Sequence, residues 1–486
     1  MRSVKDFKIV YKIYRLLFGN NISSIYLCFT TTDTPTIYQF THQFINVNAS
    51  FPPHPDWLLS ALLNQSYIIM KTNKHFFLTG LMVAGLLSSS FAAPKKPFIK
   101  EGIWRGVFSL SEAAVPFNFE LKGKDPEHAV FTLINGSRRD DFHVVQTAPD
   151  SIFIKMNTYD AALVAKIESD GHISGEYRSL VPNFRGNALP FTADYGQDYR
   201  FEQPASTAAP THNITGKWDL TIYSKEPTPN RIGLLKQEGS KLTGVIMSVV
   251  GDSRELEGVV HGDEFELSGF TGPSPIYIKG KINDDKSLTG ELSLGIYNNI
   301  KFDGAKNATA ELPDPYKLTY LKEGYKKLDF TLPDLNGKLV SLSDEKYKGK
   351  VVIVEIIGTW CPNCTDQTSF LSPWFNKNKD RGVEAIAIGF EQKDDLEYAK
   401  YTLGKLKEKY NIQYDILFGG IADKKVASEK LPALNRMMAF PTTIIIDRKG
   451  EVRQIHTGYT GEVTGQYYKD YVEKWNDDLN KLIAEK

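Results

Sequence analysis

Cysteine is almost missing from this chain, with three residues in 486. Two of the three fall as Cys361-Pro362-Asn363-Cys364, a pairing hard to read as accident at that frequency. An excess of either charge is missing too. Lys+Arg and Asp+Glu both total 58, which argues against nucleic acid or an acidic membrane surface as the main partner. HExxH, a Walker loop, GxGxxG and any run of metal-spaced His and Cys are all absent. The usual metalloprotease and nucleotide-binding signatures are thereby excluded, and neither a cofactor nor a metal is expected. The apolar run of residues 76–87 is too short for a comfortable membrane span, so no stable membrane insertion is expected.

What is present supports a large folded protein. With 41% apolar and 12% aromatic residues, the chain can build substantial cores, and its length suits about three domains.

A secretory signal begins inside the chain at Met70. Lys71, Lys74 and His75 form a basic start, Phe76 to Leu87 an apolar centre, and Ser88-Ser89-Ser90-Phe91-Ala92 a small-residue stretch. Cleavage is expected after Ala92. Residues 70–92 therefore read as a signal peptide, and residues 1–69 as an over-extended start absent from the mature protein. The rival reading keeps 1–69 as an extension that turns 76–87 into an internal anchor. No cysteine stands at the cleavage site, which argues against a lipid anchor. Cys28 lies upstream, so the mature chain would keep only Cys361 and Cys364. Exported proteins in oxidising compartments usually carry structural disulfides or no cysteine. A lone CxxC pair is instead the cysteine economy of a redox reagent.

Residues 94–302 read as short alternating strands separated by turns such as Gly251-Asp252-Ser253 and His261-Gly262-Asp263. The region is duplicated. Gly102-Ile103-Trp104 recurs as Gly216-Lys217-Trp218 at an offset of 114. Ile173-Ser174-Gly175-Glu176 recurs as Leu288-Thr289-Gly290-Glu291 at an offset of 115. Two β-rich modules, 94–202 and 214–302, are expected, each an antiparallel meander closed as a barrel or packed as a sandwich. A linker at 203–213 separates them, and a second at 303–324 leads to the C-terminal domain, 325–486. Trp104 and Trp218 are read as core plugs of their modules rather than as ligand contacts.

In the C-terminal domain, Asn336-Gly337 marks a hairpin. The apolar run of residues 351–357 reads as a buried strand, and the CxxC as the opening of a helix reaching about Asn376. A second strand (384–390), a helix (394–410), a short strand (414–418), the run Phe440-Pro441-Thr442 into a hairpin, and a last helix (465–484) follow. Two thiols at a strand-to-helix junction can close into a disulfide and reopen. Cys361 sits at the helix N-terminus, where unpaired amides and the dipole stabilise a thiolate. It is the expected nucleophile, and Cys364, one turn on, the resolving thiol. Glu355, an acid inside an apolar strand, is expected to be buried with a raised pKa; an edge-strand Glu facing water is the bland alternative.

These residues resemble the thioredoxin superfamily and, within it, the TlpA/ResA-like branch with AhpC/TSA or redoxin-type domains. The resemblance covers about residues 325–486 and rests on the hairpin, Trp360-Cys361-Pro362-Asn363-Cys364 and Phe440-Pro441-Thr442. It implies a multidomain protein with a C-terminal α/β thioredoxin-like fold behind the duplicated all-β region. It also implies that Cys361 and Cys364 form a redox-active disulfide. Glu355 would assist proton transfer to and from Cys364, and Pro441 would be a cis-proline facing the disulfide. Trp360, Pro362, Asn363, Phe440 and Thr442 would contact the substrate, with the bulk of Phe440 narrowing the site. The implied activity is periplasmic thiol–disulfide exchange with exported, disulfide-bearing proteins. The lean is towards reduction, for example in cytochrome c maturation, with recharging by a membrane thiol donor.

One residue departs from the family pattern: Gln367 stands where many relatives carry Glu. Adjacent Asp366 is rotated about 100° around the helix and cannot be assumed to substitute. No PxxxTxxC pattern supports a peroxidatic cysteine, and His456 as a third metal ligand beside the two thiols remains a distant reading. The non-enzymatic alternative makes the β-rich region a partner- or ligand-binding module, with the thioredoxin fold as scaffold.

Overall fold

The computed structural model describes residues 99–485, apart from 111–112, 124–127, 157–158, 181–187, 203–207, 224–230, 273 and 296. The expected over-extended start, the signal segment and the beginning of the first linker lie outside the described residues.

Eight antiparallel strands, from Gly102–Ser109 to Leu189–Tyr195, close into a barrel. Closure comes from the first strand pairing with the last, Trp104 opposite Tyr195 through Phe108 opposite Phe191. Residues 216–306 repeat the plan. Strand Arg231–Glu238 pairs with both Gly216–Ile222 and Lys241–Ser248, and Tyr297–Lys306 returns to Gly216–Ile222, so this sheet closes as well. Its last strand pairs through Ala305 opposite Ser287. Residues 303–306, expected in a linker, are therefore sheet.

The two copies agree in detail. Each Trp indole donates to the carbonyl four residues earlier, Trp104 to Lys100 at 3.0 Å and Trp218 to Ile214 at 2.9 Å. Both rings are fully buried. A bulge between Ile167 and Ser169 recurs between Ile282 and Asp284, again 115 residues on. Side chains fill both interiors. Trp104, Phe117, Phe119 and Phe131 stack in the first, with neighbouring centroids 4.5 to 6.0 Å apart. The second leaves an apolar void of about 20 Å³ among Leu220, Leu235, Phe265 and Leu267, room for about one water. The duplicated tryptophans are core, and among the described residues the void in the second interior is too small for a ligand.

The C-terminal domain carries a five-stranded sheet in the order Asp415–Ile421, Val383–Glu391, Val351–Ile357, Thr442–Ile446, Val452–Thr457. The first three are paired in parallel, and the two pairings that Thr442–Ile446 makes are antiparallel. All seven residues of Val351–Ile357 are buried, as expected of a central strand covered on both faces. Asp395 caps the helix Leu396–Tyr410 through the Tyr398 amide at 2.6 Å, which fixes its start one turn beyond the preceding strand. The CxxC helix, Pro362–Asn378, packs on both its neighbours: Ser372 Oγ donates to the Tyr410 carbonyl at 2.8 Å, and Trp374 meets Trp475 of the last helix edge to face. Among the described residues no helix is long and apolar enough to cross a membrane.

Both barrels and this domain belong to one compact unit, 92–486. Arg200 and Glu257 join the barrels at 2.7 Å, and Asn135 exchanges two hydrogen bonds with the Phe270 backbone.

Candidate active site

Strand Val351–Ile357 hands the chain to Gly358-Thr359-Trp360, and the helix opens at Pro362. Proline suits this first position because its missing N–H would have no intrahelical partner. Cys361 is the N-cap, its Sγ accepting the Cys364 amide at 3.3 Å and lying 3.5 Å from the Phe440 carbonyl. That geometry sets one sulfur against the positive end of a helix. Both cysteines are free thiols, with Cys361 6% and Cys364 1% exposed. Burial, and then the hydrogen bond and charge of Cys361, push the Cys364 thiol well above its usual range. Cys364 stays protonated at neutral pH unless a base takes its proton.

Such a base is close by. Glu355 lies in the central strand, opposite Ala387 on one side and Thr443 on the other, and is fully buried. The edge-strand alternative is thereby excluded. Its Oε1 accepts the Tyr414 hydroxyl at 2.7 Å, and its Oε2 the Thr368 hydroxyl of the CxxC helix at 3.4 Å. Burial pushes its pKa up to about 7 while the two hydrogen bonds pull it back. Its charge also raises the Cys364 thiol, so the two groups feel each other's protonation.

A second buried acid escaped the sequence reading. Glu391 ends the neighbouring strand, accepting the Thr359 amide at 3.0 Å and the Thr359 hydroxyl at 2.6 Å. Burial raises it to about 7 as well. It anchors the turn that presents Trp360. The available signal was an acid directly after an apolar strand, which reads equally well as a solvated strand end.

The remaining expected residues divide. Trp360, Pro362 and Asn363 are half-buried around the CxxC, and the Trp360 indole donates to the Phe390 carbonyl at 2.9 Å. The Phe440–Pro441 bond is cis. Phe440 does not project into the site. Its ring is buried against Trp360 and Phe390, centroids 5.6 and 5.7 Å away, because this apolar wall offers it more contact than the opening does. Thr442 is fully buried with its hydroxyl donating to the Ala439 carbonyl at 2.8 Å, so its side chain is not offered to a substrate. Gln367 is buried too, its amide donating to Thr443 Oγ1. An uncharged amide fills that space beside Glu355's strand.

Asp366 points elsewhere. Arg254 of the second barrel grips it in a fork, Nε to Oδ2 at 2.8 Å and Nη2 to Oδ1 at 2.9 Å, and Arg138 of the first barrel adds a contact at 3.0 Å. Tyr159, also from the first barrel, lies 3.3 Å from Thr365 Oγ1. Three domains therefore meet on the first turns of the CxxC helix.

His456 is held neutral, its pKa lowered by burial to about 4, with Nδ1 3.0 Å from the Gly458 carbonyl. Among the described residues no group of three or more His, Cys, Asp or Glu could hold a metal ion.

Residues 324–455 match the AhpC/TSA family, so neither barrel lies within the match. The thiol-disulfide oxidoreductase ResA of Geobacillus kaustophilus is 33% identical over 130 residues, which cover 27% of this chain and 66% of the relative. The ResA of Bacillus thuringiensis subsp. konkukian is 30% identical over 146 residues, covering 30% of this chain and 74% of the relative. A solved thiol-disulfide oxidoreductase from Bacteroides fragilis overlays 30% of this chain and 99% of its own, at 15% identity and a TM-score of 0.23.

Proposed function

This chain belongs to the ResA-like thiol–disulfide oxidoreductases of the AhpC/TSA family, and from that premise we propose that Cys361 and Cys364 reduce disulfides of partner proteins outside the cytoplasm. The observation that carries the reading is the asymmetry of the pair: Cys361 Sγ caps the helix and accepts the Cys364 amide, while Cys364 is buried with a raised pKa. The Cys361 thiolate attacks one sulfur of the partner disulfide, forming a mixed disulfide and releasing the other sulfur as a thiolate. Cys364 then attacks Cys361 Sγ. The Cys361–Cys364 disulfide forms, the partner leaves as a dithiol, and two electrons have passed to it.

The resolving step needs the Cys364 proton removed. Glu355, with a pKa of about 7, is matched to that task near neutral pH. Return to the dithiol requires an external thiol donor, for which a membrane-bound reductant is the natural class. The periplasmic location rests on the signal-like segment at 70–92 and on the confinement of the thiols downstream of it to one CxxC. The reductive direction rests on the family resemblance.

Reduction of insulin by the full chain tests the reading. Wild type is expected to precipitate the insulin B chain in the presence of dithiothreitol, and Cys361→Ser to lose that activity. Survival of the activity in Cys361→Ser would remove Cys361 from the chemistry.

A further inference from the structure

One segment of the second barrel lies against the CxxC and has no part in the exchange chemistry. At Gly251, whose φ is +144°, a Cβ would fall 2.1 Å from Asn363 Nδ2 and 2.8 Å from the Tyr459 carbonyl. At Gly458, a Cβ would fall 2.7 Å from the Val249 carbonyl. At both glycines only backbone fits, so Gly251 lies against the Asn363 side chain and the Tyr459 carbonyl, and Gly458 against the backbone of Val249 and Val250. Asp252 Oδ2 then accepts the Gly461 amide at 2.6 Å.

Arg254 closes the arrangement. Besides its fork on Asp366, it donates to the carbonyls of Pro362 at 3.2 Å and Thr271 at 3.1 Å. It is 3% exposed and held at φ +61°, an unfavourable backbone for a non-glycine residue unless its surroundings impose it. On the far side of the segment, a cavity of about 230 Å³ is lined by Val249, Gly251, Tyr316, His456 and Tyr459. The segment is thus latched at its end but not packed solid behind.

We propose that residues 249–254 are a specificity-determining wall of the CxxC site, latched by Arg254 on Asp366, which keeps bulky protein disulfides from Cys361 until the latch opens. The proposal rests on Cys361 being the reactive thiol. Arg254 touches neither reacting sulfur; it is a positioning residue that acts through Asp366 and the helix's first turn. Cys361 is only 6% exposed, so a folded partner must displace the wall to bring its disulfide against the sulfur, whereas a small disulfide has far less bulk to admit. The latch therefore shows as selection by size, which a residue needed only for folding would not produce.

The test compares two oxidants on the reduced full-length protein: insulin, and the small aromatic disulfide 5,5′-dithiobis(2-nitrobenzoate). Arg254→Ala weakens the closed state by removing one side of a buried ion pair, and the open fraction rises accordingly. The ratio of insulin rate to small-disulfide rate is expected to rise about tenfold or more. Arg254→Lys, which keeps a charge on Asp366 but loses the fork, should fall between. If Arg254→Ala fails to fold by circular dichroism, Asp366→Asn is expected to give the same rise. An unchanged ratio in the folded variant overturns the wall. Wild type reacting with neither disulfide overturns the exchange reading itself, and the wall with it.

Discussion

The hydroxyl of Tyr414 donates to Oε1 of Glu355 at 2.7 Å, inside the core and behind the CxxC helix. That bond opposes the burial that lifts the carboxyl to about 7. Removing it with Tyr414→Phe should raise the Glu355 pKa further and move the rising limb of the exchange rate to higher pH. A pH–rate profile of insulin reduction checks this; a limb that stays in place would detach Glu355 from the proton transfer.

Glu355→Leu removes the acceptor altogether. Exchange near neutral pH is expected to slow about 10²-fold, the low end for loss of a positioned general base, with the fold retained. Stopped-flow rates alongside a far-UV spectrum separate the two effects. Unchanged rates would assign Glu355 to structure.

The two buried acids also make stability depend on pH. Glu355 and Glu391 have folded pKa values of about 7 against 4.5 for the ordinary carboxyl. Between those values the folded state keeps protons that the unfolded state has released. Their stabilising contribution is complete below 4.5, falls as pH rises through 7, and is constant above that. Urea midpoints should accordingly drop from about pH 5 to about pH 8, and Glu391→Gln should flatten part of that drop. A midpoint shift of the same size in the variant would count against Glu391 as one of its sources.

Cys364→Ser leaves the attacking thiol without its resolving partner. Mixed disulfides with Cys361 should accumulate, visible as reductant-sensitive bands on a gel and absent from the Cys361→Ser, Cys364→Ser double variant. Bands of equal intensity in both would place the reactive sulfur elsewhere.

Trp104 and Trp218 are twins by fold, each fully buried and each bonded to the carbonyl four residues earlier. Trp104→Ala and Trp218→Ala should each cost about 3–5 kcal/mol of stability, measured by chemical denaturation. A loss below about 1 kcal/mol in either would mean that barrel's end is not sealed by its tryptophan.

The redox pair, the buried acid and the Phe440-Pro441 turn could be read from the chain because each is written in a local pattern. A continuous apolar run makes a central strand, a CxxC follows where a helix can open, and one acid interrupts the run. The duplication was equally legible, since the Gly-x-Trp and Ile173–Glu176 motifs recur at nearly constant offsets. Side-chain direction was less so. Thr442 and Phe440 flank the cis proline in sequence, yet packing against Ala439, Trp360 and Phe390 turns both inward.

Residue order and spacing were enough to place Cys361 at a helix cap behind a buried strand, because strand, cap and helix are neighbours along the chain. The surroundings of that cap were not specified in this way. Gly251-Asp252-Ser253 reads as an ordinary turn, and nothing in the sequence singles out Arg254 beside it. Only docking of the second barrel brings Arg254 onto Asp366, 112 residues away. Contacts of that range depend on how whole domains pack. A local pattern records strand and helix periods but carries no term for which loop will lie against which helix.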